Sequence, residues 1–65
     1  MDRLLELAEW LYEHGQGKAA LELYSNANIG RITPNIYYKI GVALKAGGAE
    51  YGTVKHTLDT IKAYL

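Results

Sequence analysis

YGTVKHTLDTIKAYL, residues 51–65, is compatible with two secondary structures, and the choice between them determines the architecture of the whole chain. As a helix, the segment carries one unbroken apolar stripe, formed by Val54, Leu58, Ile61 and Leu65. As two strands, it is rich in β-branched and aromatic residues and has Asp59 midway, where a hairpin could turn. Local composition favours the hairpin, although its turn lacks the Asn-Gly or glycine signal of tight hairpins.

The segment before it, residues 31–48, has the clearest helix signals in the chain. Thr33 can cap the helix with its hydroxyl, and Pro34 suits the first helical position because no intrahelical N–H bond is lost there. Gly47 and Gly48 supply a left-handed C-terminal stop. These signals predict a helix from Pro34 to Ala46.

This predicted helix has two different faces. An apolar stripe for the core is formed by Ile36, Ile40, Ala43, Leu44 and Gly47. The outward face is formed by Asn35, Tyr38, Lys39, Val42 and Lys45. It has no acid and combines amide, phenol and ammonium groups, which are types that contact phosphates and base edges. The alternative is an ordinary solvated surface with two lysines.

Two further helices are predicted in the first half. The first runs from Asp2 to His14 and ends at Gly15, and its apolar stripe is Leu4, Leu7, Ala8 and Leu11. The second runs from Lys18 to Ala27, with Ala20, Leu23, Tyr24 and Ala27 inward. Trp10 lies off the main stripe, so it either covers the edge of the core or meets a partner.

Length and composition indicate one small domain over residues 1–65. The sequence has no cysteine, which excludes disulfides and thiolate metal sites and favours a reducing compartment. It shows neither a signal-peptide pattern nor an apolar run of membrane-spanning length. We therefore expect a cytoplasmic protein that does not bind membranes.

Charge is divided unequally along the chain, although the net charge is zero. Residues 1–30 hold five acids and two bases, a net charge of −3, and residues 31–65 hold five bases and two acids, a net charge of +3. A polyanion would therefore meet the second half.

Side chains with catalytic or metal-binding potential are few. His14 and His56 are the only imidazoles, and neither has a second ligand at metal-binding helical spacing. Glu6, Glu9 and Glu13 form an acidic strip that is more typical of a solvated face than of a paired-carboxylate site. We expect no enzyme, no cofactor and no metal.

Residues 4–48 resemble the core of winged helix-turn-helix DNA-binding domains of the PadR-like and MarR-like kinds. The matching pieces are Leu4 to Gly15 for a first helix, Ala20 to Tyr24 for a second, and Ile32 to Gly48 for a recognition helix with its following glycine. The resemblance implies a mainly α fold, with a three-helix core and a β-hairpin wing over Ala49 to Leu65. A second register, with residues 51–58 as the recognition helix, is also compatible with this resemblance.

This resemblance implies binding to double-stranded DNA, as a transcriptional regulator or accessory protein, with the helix Pro34 to Ala46 in the major groove. The implied DNA-contacting residues are Arg31, Thr33, Asn35, Tyr38, Lys39, Lys45, Lys55 and Lys62. Lys55 and Lys62 would act from the wing. So few cationic contacts imply weak, salt-dependent binding by a monomer, and therefore a homodimer for useful specificity.

A competing resemblance is to tetratricopeptide repeats. Matching positions in one repeat are Leu7, Ala8, Leu11, Gly15, Ala20, Tyr24 and Ala27, and those of a second, offset by 33, are Tyr37, Ile40, Gly41, Leu44 and Gly48. This alternative implies an all-α fold of two helical hairpins that binds a protein or peptide. Its mixed-charge groove would combine Glu6, Glu9 and Glu13 with Tyr38, Lys39 and Lys45.

Overall fold

A computed structural model describes residues 2–65 of the chain, and these form four α-helices. The helices are α1 (Asp2–Glu13), α2 (Gly17–Asn28), α3 (Pro34–Ala46) and α4 (Tyr51–Lys62). No β-strand occurs among the described residues. The mainly α fold class is therefore confirmed, and the helix boundaries predicted for α1 and α2 are correct to within one residue.

The β-hairpin wing predicted over Ala49 to Leu65 is wrong, because α4 occupies this segment. The all-α alternative, with two helical hairpins, fits the structure. Of the predicted helical stripe, Ile61 is fully buried, Val54 and Leu58 are half-buried, and Leu65 is exposed beyond the end of α4. Thr57, which was not on that stripe, is also fully buried, and this packing outweighs the local β-propensity. The Lys55 ammonium also lies 2.9 Å from the Asp59 carboxylate, a pairing of residues one helical turn apart.

The helices pack around one shared core. Its buried side chains are Leu4, Leu7, Ala8, Leu11, Ala19, Ala20, Leu23, Ala27, Ile36, Ile40, Leu44 and Ile61. Each helix packs against the next one in the chain, and α4 returns to contact α1. Within the described part of the chain, no Cα atom of α1 lies within 8 Å of a Cα atom of α3. The helices thus close into a ring, with α1 and α3 on opposite sides.

Helix α3 begins and ends as its sequence signals predict. The Thr33 hydroxyl accepts a hydrogen bond from the Ile36 amide at 3.3 Å, and Pro34 occupies the first turn. At the other end, of the two glycines predicted to form a left-handed stop, Gly48 adopts that conformation with φ +69°, whereas Gly47 has φ −82°. These two ends fix the length of α3 and therefore which side chains it presents to solvent.

Candidate functional site

The outward face predicted for α3 is present as an exposed surface. We call Asn35, Tyr38, Lys39, Val42 and Lys45 the α3 surface, and all five are exposed. Two of them are large apolar or aromatic side chains, since Tyr38 is 70% exposed and Val42 is 50% exposed. Helix α3 contains no carboxylate. The predicted outward face is therefore exposed, and of the predicted apolar stripe Ile36, Ile40 and Leu44 are buried, Ala43 is half-buried and Gly47 is exposed beyond the helix.

Two other predicted DNA-contacting residues lie just before α3. Arg31 is exposed in the segment between α2 and α3, where its backbone N–H donates to the Asn26 carbonyl at 2.8 Å. Thr33 is half-buried and its hydroxyl already accepts the capping hydrogen bond from Ile36. Arg31 is therefore available to a ligand, whereas Thr33 is occupied by its structural role.

Lys55 and Lys62 lie on α4, so the prediction that they act from a wing is wrong. Both are exposed. Lys55 is paired with Asp59 at 2.9 Å, and the hydrogen bond and the negative charge of Asp59 raise the pKa of the Lys55 ammonium. This face of α4 is therefore less basic than its lysines alone suggest.

An apolar groove runs between α1 and α2, with a volume of about 410 Å³. Its lining residues are Leu5, Ala8, Glu9, Tyr12, Gly17, Ala20, Leu21 and Tyr24. Three large side chains stand exposed in this α1–α2 groove, namely Tyr12 (72%), Leu21 (66%) and Tyr24 (52%). The prediction that Tyr24 points into the core is wrong.

The groove arises from a second apolar stripe on each helix, beside the stripe that enters the core. On α1 this second stripe includes Leu5 and Tyr12, and on α2 it includes Leu21 and Tyr24, each pair at helical spacing. Neighbouring helices joined by a short turn run antiparallel, so the two stripes lie side by side. The sequence therefore carries a signal for the groove, because Leu21 and Tyr24 form a second apolar stripe beside the inward stripe of α2.

Charge at this groove is negative. Of the described lining residues, Glu9 alone carries a charge. Glu13 lies one turn further along α1 on the same side, and both carboxylates are exposed. A ligand in the groove would therefore meet an apolar floor and an acidic edge.

On the side of α1 that faces away from the groove, the Trp10 ring packs against both histidines. Its ring centroid lies 4.2 Å from that of His14 and 5.0 Å from that of His56 on α4. The indole is half-buried and packs against the core, as expected for an edge position. Among the described residues no group of three or more histidine or carboxylate side chains could hold a metal ion.

The mixed-charge groove predicted from the repeat resemblance is not assembled. It requires α1 to lie beside α3, but these helices lie on opposite sides of the ring. Glu6 instead borders a concavity with Trp10 and His56, whereas Tyr38 and Lys39 face away on α3. The α1 carboxylates of that predicted groove are therefore separate from its α3 side chains.

No helix in the part of the chain that the structure describes is both long and apolar enough to span a bilayer. Comparison of the chain with protein-family models, with curated proteins and with solved structures gives no match.

Proposed function

We propose that this chain is a non-catalytic protein-interaction module that binds a basic amphipathic helix in its α1–α2 groove. The observation that carries this proposal is the exposure of Tyr12, Leu21 and Tyr24 along one continuous groove. A contiguous apolar surface is costly to leave in water, and aromatic side chains in such patches are typical anchors of interfaces. Protein or peptide binding is also what the repeat resemblance implies.

The shape of the groove suits a helix. Two antiparallel helices leave a furrow along their length into which the side-chain ridge of a third helix can pack. Ala8 and Ala20 line this furrow with small side chains, so a third backbone can approach closely. The matching ligand is a helix with apolar side chains at i, i+3 or i+4, and i+7.

Charge defines the flanks of that ligand. Glu9 and Glu13 lie along the α1 edge, and residues 1–30 as a whole carry a net charge of −3. Lysine or arginine beside the apolar anchors of the ligand would meet these carboxylates, which favours specificity and rapid association. An acidic helix of equal hydrophobicity would be repelled.

Calorimetry with a synthetic peptide of leucine and lysine at helical spacing tests this function. Leu21→Ser should weaken binding at least about tenfold, because Leu21 is a central anchor. Leu65→Ser is the matched control, since Leu65 is also an exposed leucine but lies after α4, outside the groove and the α3 surface. The same peptide with glutamate for lysine should bind more weakly. Equal loss in both variants, or equal binding of both peptides, would contradict the proposal.

DNA binding by the α3 surface is a second candidate, favoured by the absence of carboxylates from that helix. Arg31, Asn35, Tyr38, Lys39 and Lys45 would provide its contacts, with the N-terminus of α3 beside a phosphate. Any role in transcription would depend on this activity. Titration with duplex DNA at low salt tests it.

Lys39→Ala is the variant for this test. It should lower the affinity for DNA and reduce the dependence of that affinity on salt concentration by the amount expected for about one lost phosphate contact. Lys18→Ala, an exposed change on α2, should leave affinity unchanged. Unshifted α3 amide signals at low salt would exclude this candidate.

A further inference from the structure

We infer that a second copy of this chain is the partner of the α1–α2 groove, with the α3 surface of one molecule lying in the groove of another. This inference rests on the proposed function, because it names the ligand of the same groove. The chain itself presents, on α3, a helix whose exposed face combines apolar side chains with lysines.

The α3 surface carries two of the apolar anchors that the groove selects, Tyr38 at i and Val42 at i+4, whereas position i+7 is Lys45. Tyr38 and Val42 are one turn apart, at least half exposed, and lie near the centre of the outward face. Lys39 and Lys45 stand on either side of this pair, and both are exposed. The apolar anchors are therefore flanked by cations, as the acidic edge of the groove requires.

Helix α3 is also already formed before binding. Its hydroxyl cap at Thr33 and its packed core residues Ile40 and Leu44 hold it in place. A disordered peptide must lose conformational entropy when it folds in the groove, whereas α3 does not. A second copy is therefore a better ligand than a flexible segment of the same composition.

Charge separation sets the orientation of the two copies. Glu9 and Glu13 lie along the groove, whereas the α3 surface carries Lys39 and Lys45 on a helix without a carboxylate. Placing these unlike patches together is attractive, whereas placing two grooves or two α3 surfaces together brings like charges into contact. The contact is therefore between two different patches, which is a heterologous interface.

Helix α4 is a poorer occupant than α3, although it also carries two exposed lysines. Asp59 lies between Lys55 and Lys62 along the helix and is paired with Lys55. If α4 lay in the groove, the Asp59 carboxylate would be repelled by Glu9 and Glu13 at the edge of the groove. The α4 lysines therefore serve as the control for the test.

Sedimentation of the full chain at low salt tests this inference. Protein concentrations up to about 1 mM allow even weak self-association to be measured. The wild type should self-associate, and salt should weaken the association. Glu9→Lys with Glu13→Lys should raise the dissociation constant at least about tenfold. Lys39→Glu with Lys45→Glu should do the same.

Combining all four reversals in one chain should restore association, because the net charge is again zero and the charges are again complementary. The control variant is Lys55→Glu with Lys62→Glu, which changes the net charge by the same amount as Lys39→Glu with Lys45→Glu. Its dissociation constant for self-association should be lower than that of the Lys39 and Lys45 variant. Circular dichroism of every variant checks that the helices persist.

Failure of the four-fold variant to associate, or a wild type that is monomeric at every concentration, would overturn the inference. If that monomer still binds the leucine–lysine peptide in its groove, the proposed function stands without self-association. If it binds neither, both proposals fail.

Discussion

The side-chain amide of Gln16 donates a hydrogen bond to the backbone carbonyl of Gly47 at 3.3 Å, which joins the turn after α1 to the C-terminal end of α3. Gln16 lies in the turn between α1 and α2 and is buried, and Gly47 caps the end of α3. A Cβ atom at Gly47 would collide with the Gln16 carbonyl oxygen. This pair therefore ties the first helical hairpin to the end of α3.

Gly47→Ala should lower the free energy of unfolding by about 1 kcal/mol, because the Gln16 amide must move and lose its hydrogen bond. In a Gln16→Ala background the same change should be neutral or stabilising, since alanine suits a helix end at φ −82° better than glycine. Urea denaturation of the four members of this cycle measures the coupling.

Gly52→Ala is the matched control, because a Cβ at Gly52 would meet no atom of the described residues within 4 Å. Gly52 lies in the first turn of α4, so alanine should stabilise the chain by at most about 0.5 kcal/mol. Equal effects at Gly47 and Gly52 would show that the Gln16 contact is not important.

Thr57→Val should stabilise the protein by about 1 kcal/mol. Thr57 is fully buried, and its hydroxyl has no hydrogen-bond partner among the residues that the structure describes. Valine has nearly the same shape and removes the uncompensated polar group. Thr60→Val is the control, since the Thr60 hydroxyl donates to the His56 carbonyl at 2.8 Å. Thermal unfolding should show a gain for the first variant and none for the second.

Leu23→Ala and Leu21→Ala should have opposite consequences, although the residues are two positions apart. Leu23 is fully buried, so its truncation should cost about 3 kcal/mol. Leu21 stands exposed in the groove, and its truncation should change stability by less than about 1 kcal/mol while weakening peptide binding. Denaturation measures the stability of both variants, and calorimetry measures their peptide binding. If Leu21→Ala lost stability and Leu23→Ala lost peptide binding, the assignment of the two faces of α2 would be wrong.

Asp59→Asn should return the raised pKa of Lys55 towards its ordinary value of 10.5, because the hydrogen bond and charge of Asp59 are the main causes of the shift. A pKa raised on folding stabilises the folded protein below the pKa of the unfolded state. That contribution is lost as the pH rises through the folded pKa, here above about 10.5. NMR titration of the Lys55 side chain follows the change. An identical titration curve in the variant would show that the pair does not persist in solution.

Local signals in the sequence were sufficient for α3. Thr33 and Pro34 fix its start by steric and hydrogen-bonding rules that need no tertiary contacts, and its two faces follow from helical spacing. The segment 51–65 was different, because its β-branched residues favour strands locally. Only burial of Thr57 and Ile61 against other helices decides in favour of α4.

The candidate site could be predicted in part for the same reason. The α3 surface depends on one helix and was predicted, whereas the α1–α2 groove depends on how two helices are rotated about their axes. Tyr24 lies close enough to the core stripe of α2 that spacing alone could not assign it to core or groove. The approach of His56 to Trp10 depends on the contact between α1 and α4. Local sequence patterns do not predict this contact, because the two helices are far apart in the sequence.

Binding of a basic helix in the α1–α2 groove is tested most directly by adding the leucine–lysine peptide to the dilute, isotope-labelled chain and mapping the changes in amide chemical shift. We expect the changes to concentrate on the α1–α2 groove, including Glu9, Tyr12, Leu21 and Tyr24. Unmoved groove signals, or changes confined to α3 and α4, would contradict it.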